Sequence, residues 1–426
     1  MITVLMLVMV LTLLSALTMN ASSSFLSRTV APYVHATKAL DVAEGGAQLT
    51  FQWLKSNYWL LNITYLVTSD TSGALLLSSN STAPSLPGNH PDPYTDTSGT
   101  TRSGVVASFN STLTSQLLGD GSFSATATLL TTSPEQWSVV STGTVSGVIR
   151  TISLRLRRGP YHPDAAVVTG GNLNISGNPT INGTLGSVHS NADLSVSGNA
   201  TIAVNATASG TYSSSGNPSI GGTAAGSQPT MYIPPIIPSS YQQYATYELR
   251  SDGLVYCGQA GAAEGCTPGA LIVGGLTEWS YNAGQGLWSQ SGNTATNGAL
   301  YVQGNVSVSG SPGSSSTPWQ LTIIATGSVT MSGNPSIQSY TQNLLFIAGT
   351  DIAISGSFTQ YGSEAVIAAH EEVRISGTPT IKGTILAEGS TDVDAILGNP
   401  TITYGGTLGP TPIPGPLVVV ARSEAS

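Results

Sequence analysis

The sequence predicts a two-part fold: an α+β N-terminal region, made of a long helix and an antiparallel sheet, followed by a parallel β-solenoid. Three features of the 426-residue chain carry that prediction. The first 19 residues hold no charge and lead into a segment of helical periodicity. Short alternating apolar runs separated by turn residues come next. Beyond them, a phrase built on Ser-Gly-Asn-Pro-Thr-Ile recurs six times, the mark of a stacked repeat.

Residues 1–57 read as the helix. The opening run, MITVLMLVMVLTLLSALTM, is just long enough to span a bilayer and too continuous for a typical signal-peptide core. Pro32 is expected to kink or interrupt the helix. Beyond it, Ala36, Ala39, Leu40, Ala43, Ala47, Phe51 and Leu54 recur at helical spacing and form one apolar face. Residues 58–159 read as a sheet, with strands expected at 58–67, 74–77, 104–109, 122–130, 137–140 and 145–156. The last four make an antiparallel meander, turning at Gly119-Asp120-Gly121 and Ser133-Pro134-Glu135, and pack on the amphipathic half of the helix.

The solenoid reads as two blocks, 160–226 and 298–412. Its corner glycines are Gly177, Gly198 and Gly216 upstream, and Gly310, Gly333, Gly356, Gly377 and Gly398 downstream. The steps between them are 21 and 18, then 23, 23, 21 and 21. Pairs such as Leu173 with Ile175 and Val373 with Ile375 alternate with small or polar residues and run straight into Ser-Gly, as a strand with one buried face should. Glycine permits a positive φ at the corner and proline fixes the next turn. The whole makes a stack of roughly eight coils at strand spacing, none of which could fold alone. Residues 227–297 interrupt the repeat. Met231-Tyr232-Ile233-Pro234-Pro235-Ile236-Ile237-Pro238 can be neither helix nor central strand and is expected to be an extended strap. Residues 413–426 form a C-terminal tail whose apolar part, 417–420, can dock as a final strand or cap.

Within the helix, Ala39-Leu40-Asp41-Val42-Ala43-Glu44-Gly45-Gly46-Ala47 is an acidic segment rich in Ala and Gly. Ser141-Thr142-Gly143-Thr144-Val145 leads into Ile149-Arg150-Thr151-Ile152-Ser153-Leu154-Arg155, and Val188-His189-Ser190-Asn191 opens a coil. On these segments the chain resembles the PilX-type minor type IV pilins, pilus assembly proteins with a C-terminal solenoid, and is similar to competence-type minor pilins. The resemblance implies a non-enzymatic surface protein assembled in, or priming, a type IV pilus. It also implies residence in the inner membrane through residues 1–19 before assembly, and at the cell surface or in the extracellular pilus afterwards. Other pilins and the inner-membrane assembly machinery are the implied partners, with DNA or surface glycans as further ligands.

Two departures stand out: most major pilins carry a Glu at the fifth mature position where this chain has Leu5, and no basic leader ending in Gly precedes Met1. The first is common in the minor class, and the second fits a chain that starts at its mature terminus. A simple N-terminal membrane anchor is the alternative.

Composition narrows the chemistry. Only 8% of residues are charged, and a net charge of −9 with 12 Lys and Arg argues against a broad nucleic-acid face. Arg150, Arg155, Arg157 and Arg158 are a third of the basic residues. They read either as a small phosphate-contact patch for DNA or as charges that keep a strand edge from aggregating. Tyr241, Tyr244, Tyr247, Trp279, Tyr281 and Trp288 cluster in the insertion, where they either line a carbohydrate or partner surface or pin the excursion to the body. Cys257 and Cys266, the only cysteines of an exported chain, are expected to form a disulfide.

No zinc spacing, phosphate loop or nucleophile elbow occurs, and His35, His90, His162, His189 and His370 are scattered singly. No cofactor is expected. The acids of the coils are Asp351, Glu364, Glu371, Glu372, Glu388, Asp392 and Asp394. Asp351 and Glu372 precede their strands at equivalent corners, so they stack either as a weak cation site or as solvated corner residues. A DNA-uptake or adhesion receptor, and a membrane-anchored β-helix enzyme acting on polysaccharide, are the competing functions.

Overall fold

The computed structural model describes residues 31–56, 113–132, 135–260 and 266–425. They fall into two compact units, one holding the helix, residues 113–159 and 417–425, the other residues 160–416. The expected membrane run at 1–19 and the strands expected at 58–67, 74–77 and 104–109 lie outside the described residues. No helix among the described residues is long and apolar enough to cross a membrane.

In the first unit the described helix is Ala31–Ser56, so only the second part of the long helix expected over 1–57 is seen. Pro32 is the second residue of the described helix, so the expected kink or interruption there lies at the edge of the described residues. The sheet runs in the order β1 (Gln116–Leu118), β2 (Gly121–Thr132), β3 (Glu135–Val145), β4 (Val148–Pro160), and then the C-terminal strand Pro414–Ala425. β3 and β4 join through Ser146 and Gly147, both at positive φ, the two-residue turn whose twist suits a hairpin.

The Ala- and Gly-rich helical segment has a packing explanation. Ala39, Ala43 and Ala47 are buried against the sheet. A Cβ at Gly143 of β3 would collide with the backbone of Ala39 and Ala43, and one at Gly46 with Phe123 and Ser141. Small residues therefore face each other wherever the helix comes closest to the strands. Asp41 points to solvent, while Glu44 meets Arg422 of the C-terminal strand at 2.9 Å. The expected tail at 413–426 is thus largely a strand of this sheet and does not cap the solenoid. Leu417 is buried in the helix–sheet core.

The second unit is a parallel β-solenoid with three sheet faces. One face stacks the strands before the glycine corner, a second the Thr-Ile strands after it, and a third the longer apolar strands such as Leu344–Ala348 and Ala365–Ala369. The first face has ten strands, the last of which, Trp279–Asn282, is antiparallel. The stack is therefore longer than the repeat count suggests, because part of the insertion joins it. Tyr247–Leu249 pairs in parallel with Gly298–Val302, and Leu287–Gln290 with Asn305–Val308.

The two blocks are not stacked in chain order. Ile385, Leu386 and Ala387 pair with Val167, Val168 and Thr169, and Thr401–Thr403 pairs with Thr180–Asn182. The chain therefore enters the stack in its middle, builds the 167–226 block outward to one end, and crosses to the far end. From there it coils back until its last turn meets its first.

The corner glycines make this order visible. A Cβ at Gly216 would strike the carbonyl of Gly198, one at Gly198 that of Gly177, and one at Gly177 that of Gly398. The series continues through Gly377, Gly356, Gly333 and Gly310 to Gly292. Gly310 and Gly333 differ from the other six corners in lacking a positive φ, contrary to the expectation for all eight. They are held to glycine by this close approach alone.

The strap crosses the stack as an extended chain. Asn191 accepts from the Met231 N–H at 2.8 Å and donates to its carbonyl at 2.9 Å. Tyr161 donates to the Tyr232 carbonyl at 2.9 Å, and Glu388 accepts from the Ile236 N–H at 2.8 Å. A 3-10 helix, Pro238–Tyr244, follows.

Candidate functional site

On the first face, register stacks Thr330, Ala353 and Arg374 side by side. All three point outward, since their strand neighbours Val329, Met331, Ile352, Ile354, Val373 and Ile375 are buried. The single methyl of Ala353 between two longer side chains leaves a hollow of about 220 Å³, bordered by Ser328, Asp351, Glu372 and Arg374. It is a recessed site of mixed polarity among the described residues. Its floor is fixed by ladder pairing and its rim carries both signs of charge.

Asp351 and Glu372 do stack at equivalent corners, as the repeat predicts. The Glu372 N–H donates to Asp351 Oδ1 at 3.3 Å, and Arg374 Nε donates to Glu372 Oε1. Burial pushes the Asp351 carboxyl up; the Glu372 N–H opposes this, and the charges of Glu372 and Asp392 add to it. Glu371 is also pushed up, first by burial and then by Asp351. Among the described residues no three His, Cys, Asp or Glu side chains are arranged to hold a metal ion. The rim can offer carboxylate acceptors beside a guanidinium donor, an arrangement suited to hydroxyl or amide groups of a polar ligand.

The remaining acids of the coils are mostly engaged in the structure itself. Glu388 Oε2 meets His370 Nδ1 at 2.7 Å as well as the strap. Glu364 accepts from the Gly405 N–H and, after burial, is the next cause that pushes the Tyr404 hydroxyl up to about 12.

Asp394 is the surprise. It pairs in register with Leu173, an inward position of the apolar column, and is 1% exposed. Its Oδ1 accepts from the Val373 N–H at 2.8 Å. Burial is the main cause that pushes its carboxyl up to about 8; the Val373 N–H opposes this, and Glu372 and Asp392 add to it. The signal was present in the repeat: aligning Ile396 with Ile375 puts Asp394 at the place of Val373.

The four arginines are not brought together. Arg155 and Arg157 are exposed on one face of β4, whereas Arg158 is buried on the other. Arg150 lies opposite Gly143 at the hairpin end of the strand, and Arg157 opposite Gln136 at the far end. Period-two alternation divides a run of basic residues between two faces, which leaves no continuous patch.

Cys257 and Cys266 form the expected disulfide. Of the aromatic cluster, Tyr241, Trp279 and Trp288 are buried in the solenoid core. Trp288 donates to the Arg250 carbonyl at 3.2 Å and Tyr281 to that of Ser251 at 2.8 Å. These rings pin the excursion to the body. Sequence reasoning missed that Ser291-Gly292, after Leu287–Gln290, is another corner; the Ser-Gly dipeptide behind an alternating strand was its signal.

No protein-family model matches the chain, and no curated protein matches it. Among solved structures it is similar to the competence-associated pilin ComZ from Thermus thermophilus, at 11% identity and a TM-score of 0.26, over 92% of this chain and 97% of that one. At this distance the likeness assigns neither fold nor role.

Proposed function

We propose that the chain is a non-enzymatic, pilin-like surface protein, a minor subunit whose helix-and-sheet unit joins it to a type IV pilus and whose solenoid is a projecting structural or recognition module. One observation carries this reading. The solenoid leaves the sheet after β4 and returns as the strand beside it, Pro414–Ala425. It is thus an insertion between neighbouring strands, and the helix keeps a complete sheet to pack on.

Residues 1–19 hold no acid, so this apolar run offers no carboxylate of the kind with which shaft subunits neutralise a neighbour's terminal amine. A subunit of that kind suits a position near the tip, where no such neighbour has to be matched. Before assembly, residues 1–19 hold it in the inner membrane, and other pilins and the assembly machinery are its partners. The non-enzymatic reading is supported by Glu364, Glu388 and Asp394, each of which accepts a backbone N–H through one carboxyl oxygen, and by Glu372, paired with Arg374. The hollow at Ala353 is then a place for adhesion to a polar ligand rather than for bond cleavage.

Quantitative proteomics of sheared surface fibres, with immunogold labelling, tests the assignment. The expected result is a substoichiometric component labelled at fibre ends. Absence from fibres, or abundance along the whole shaft, would overturn it.

A further inference from the structure

The two ends of the solenoid are built differently. At one end, Val255–Cys257 runs antiparallel on Tyr247–Leu249 and Trp279–Asn282 antiparallel on Leu287–Gln290. The Cys257–Cys266 disulfide ties down the first of these hairpins. A reversed strand ends the parallel ladder on two of the faces at this end. At the other end lies the coil made of Tyr212–Gly216, Ser219–Ile220 and Ala224–Ala225. These strands pair with the coil above them, at Leu194–Gly198, Thr201–Ile202 and Ala206–Ala208. They have no ladder partner on their outer side among the described residues.

Open strand edges are normally blunted with charge, with proline in the strand, or with a covering segment. Among the described residues this edge has none of these. No Asp, Glu, Lys or Arg occurs between Asp193 and Glu248, and none of the three terminal strands contains a proline. Ser213, Ser214, Ser215 and Ala224 are all exposed. The inward column, filled by Val196 and Ala206 one coil earlier, ends in Ser214 and Ala224. Tyr212 and Ile220, below the buried Leu194 and Ile202, pack inward against the core and leave the strand backbones at the rim open to another ladder.

We propose that this open coil docks on the same coil of a second copy of the chain. A two-fold axis through Ser214 sets Tyr212 opposite Gly216 and Ser213 opposite Ser215 in an antiparallel pair. It also sets the two-residue strand Ser219–Ile220 opposite Ala224–Ala225 of the other copy, again antiparallel. An uncharged edge meets no repulsion from its own image, and it offers a charged partner nothing to pair with. The two-fold contact uses the open coil of both copies, so it is complete at two. A single coil end is a small surface, which places the contact in the weak class. This inference does not depend on the pilus assignment.

The full chain tests it. Its two native cysteines are joined and no other is present, so Ser214→Cys adds one free thiol at the two-fold axis. Ser280→Cys adds one at an exposed position at the opposite end of the stack. Under mild oxidation, Ser214→Cys should form covalent dimers at least about tenfold faster than Ser280→Cys. In sedimentation equilibrium at high concentration, Ser214→Lys should weaken association by about tenfold or more, with its melting temperature unchanged. Equal cross-linking of the two cysteine variants, or association unaltered by Ser214→Lys, would overturn the proposal.

Discussion

Asp394→Asn should remove a pH dependence that the solenoid carries in its core. Asp394 takes a place that the repeat otherwise gives to Val373 or Leu173, and its carboxyl is pushed up from 3.8 to about 8. Between those pH values the folded chain keeps a proton that the unfolded chain has released. Stability is therefore full below pH ~4, falls as pH rises to ~8, and is level above that. A gap from 3.8 to about 8, at ~1.4 kcal/mol per pH unit, amounts to about 6 kcal/mol.

Asparagine presents the same carbonyl oxygen to the Val373 N–H and cannot ionise. The variant should match the wild type near pH 4 and exceed it by several kcal/mol at pH 8. Asp394→Leu should gain less, because it leaves the Val373 N–H unpaired at a cost of about 1–3 kcal/mol. Denaturant unfolding of the solenoid transition at pH 4, 6 and 8 reads this out. Asp351 and Glu371 are also pushed up, but their effect cancels in the difference between wild type and variant. A difference that stays constant over the whole range would refute the argument.

Gly377→Ala combines a φ of +77° with a collision against the backbone of Gly356. It should cost roughly 3 kcal/mol or more, against about 1 kcal/mol for Gly147→Ala, where φ is +80° but the space is open; thermal melts of both variants decide it. Ile375→Asp buries a charge in the column and should abolish cooperative folding of the solenoid. Arg374→Asp, on the exposed side, should shift the melt by the equivalent of about 1 kcal/mol. Reducing Cys257–Cys266 should cost roughly 2–3 kcal/mol, and mass spectrometry after alkylation without reduction should find neither cysteine labelled. Asn191→Ala removes both hydrogen bonds to Met231 and should speed proteolytic cleavage in the strap, which a digestion time course will show.

Much of the solenoid was legible because its determinants are local. A strand that alternates, then Ser-Gly, then Thr-Ile, states its own corner and its inward face, and Ile375 against Arg374 is settled by parity alone. The order of the blocks was not legible. Every corner glycine makes the same demand on its neighbour, so nothing in the phrase distinguishes Gly177 stacked on Gly398 from Gly177 stacked on Gly310. The join between 385–387 and 167–169 is a long-range pairing that no local pattern encodes. The apolar run at 417–420 reads as a final strand or cap, but its place was hidden for a related reason: its valines are an edge strand's, half exposed, and its partner β4 lies on the far side of the entire insertion. The hollow was half legible. Repeat alignment stacks Asp351 on Glu372, but only the register shows that Ala353 lies between two longer side chains.

Reversed block order also accounts for the prolines of the strap. After Ala224–Ala225 the chain must travel back past the coils it has built and past those still to come before it can start again at Tyr247. From Met231, held by Asn191, to Pro238, beside Gly349, the strap passes from the strand Val188–Ser190 to the strand Leu344–Ala348. That is four ladder steps, through Val167–Thr169, Ile385–Ala387 and Ala365–Ala369. Four steps at ~4.8 Å come to about 19 Å. Seven residues in an extended, polyproline-like form cover ~22 Å at ~3.1 Å each, whereas as an α-helix they would cover only ~10 Å. Only extended chain has the reach, and extended chain beside a sheet is open to pairing along its whole length. Pro234, Pro235 and Pro238 remove the N–H groups that would recruit a ladder. The two hydrogen bonds that hold the Met231 and Ile236 N–H groups, to Asn191 and Glu388, fix the strap at chosen coils. The Pro-rich interruption is therefore what a mid-stack entry requires of the chain.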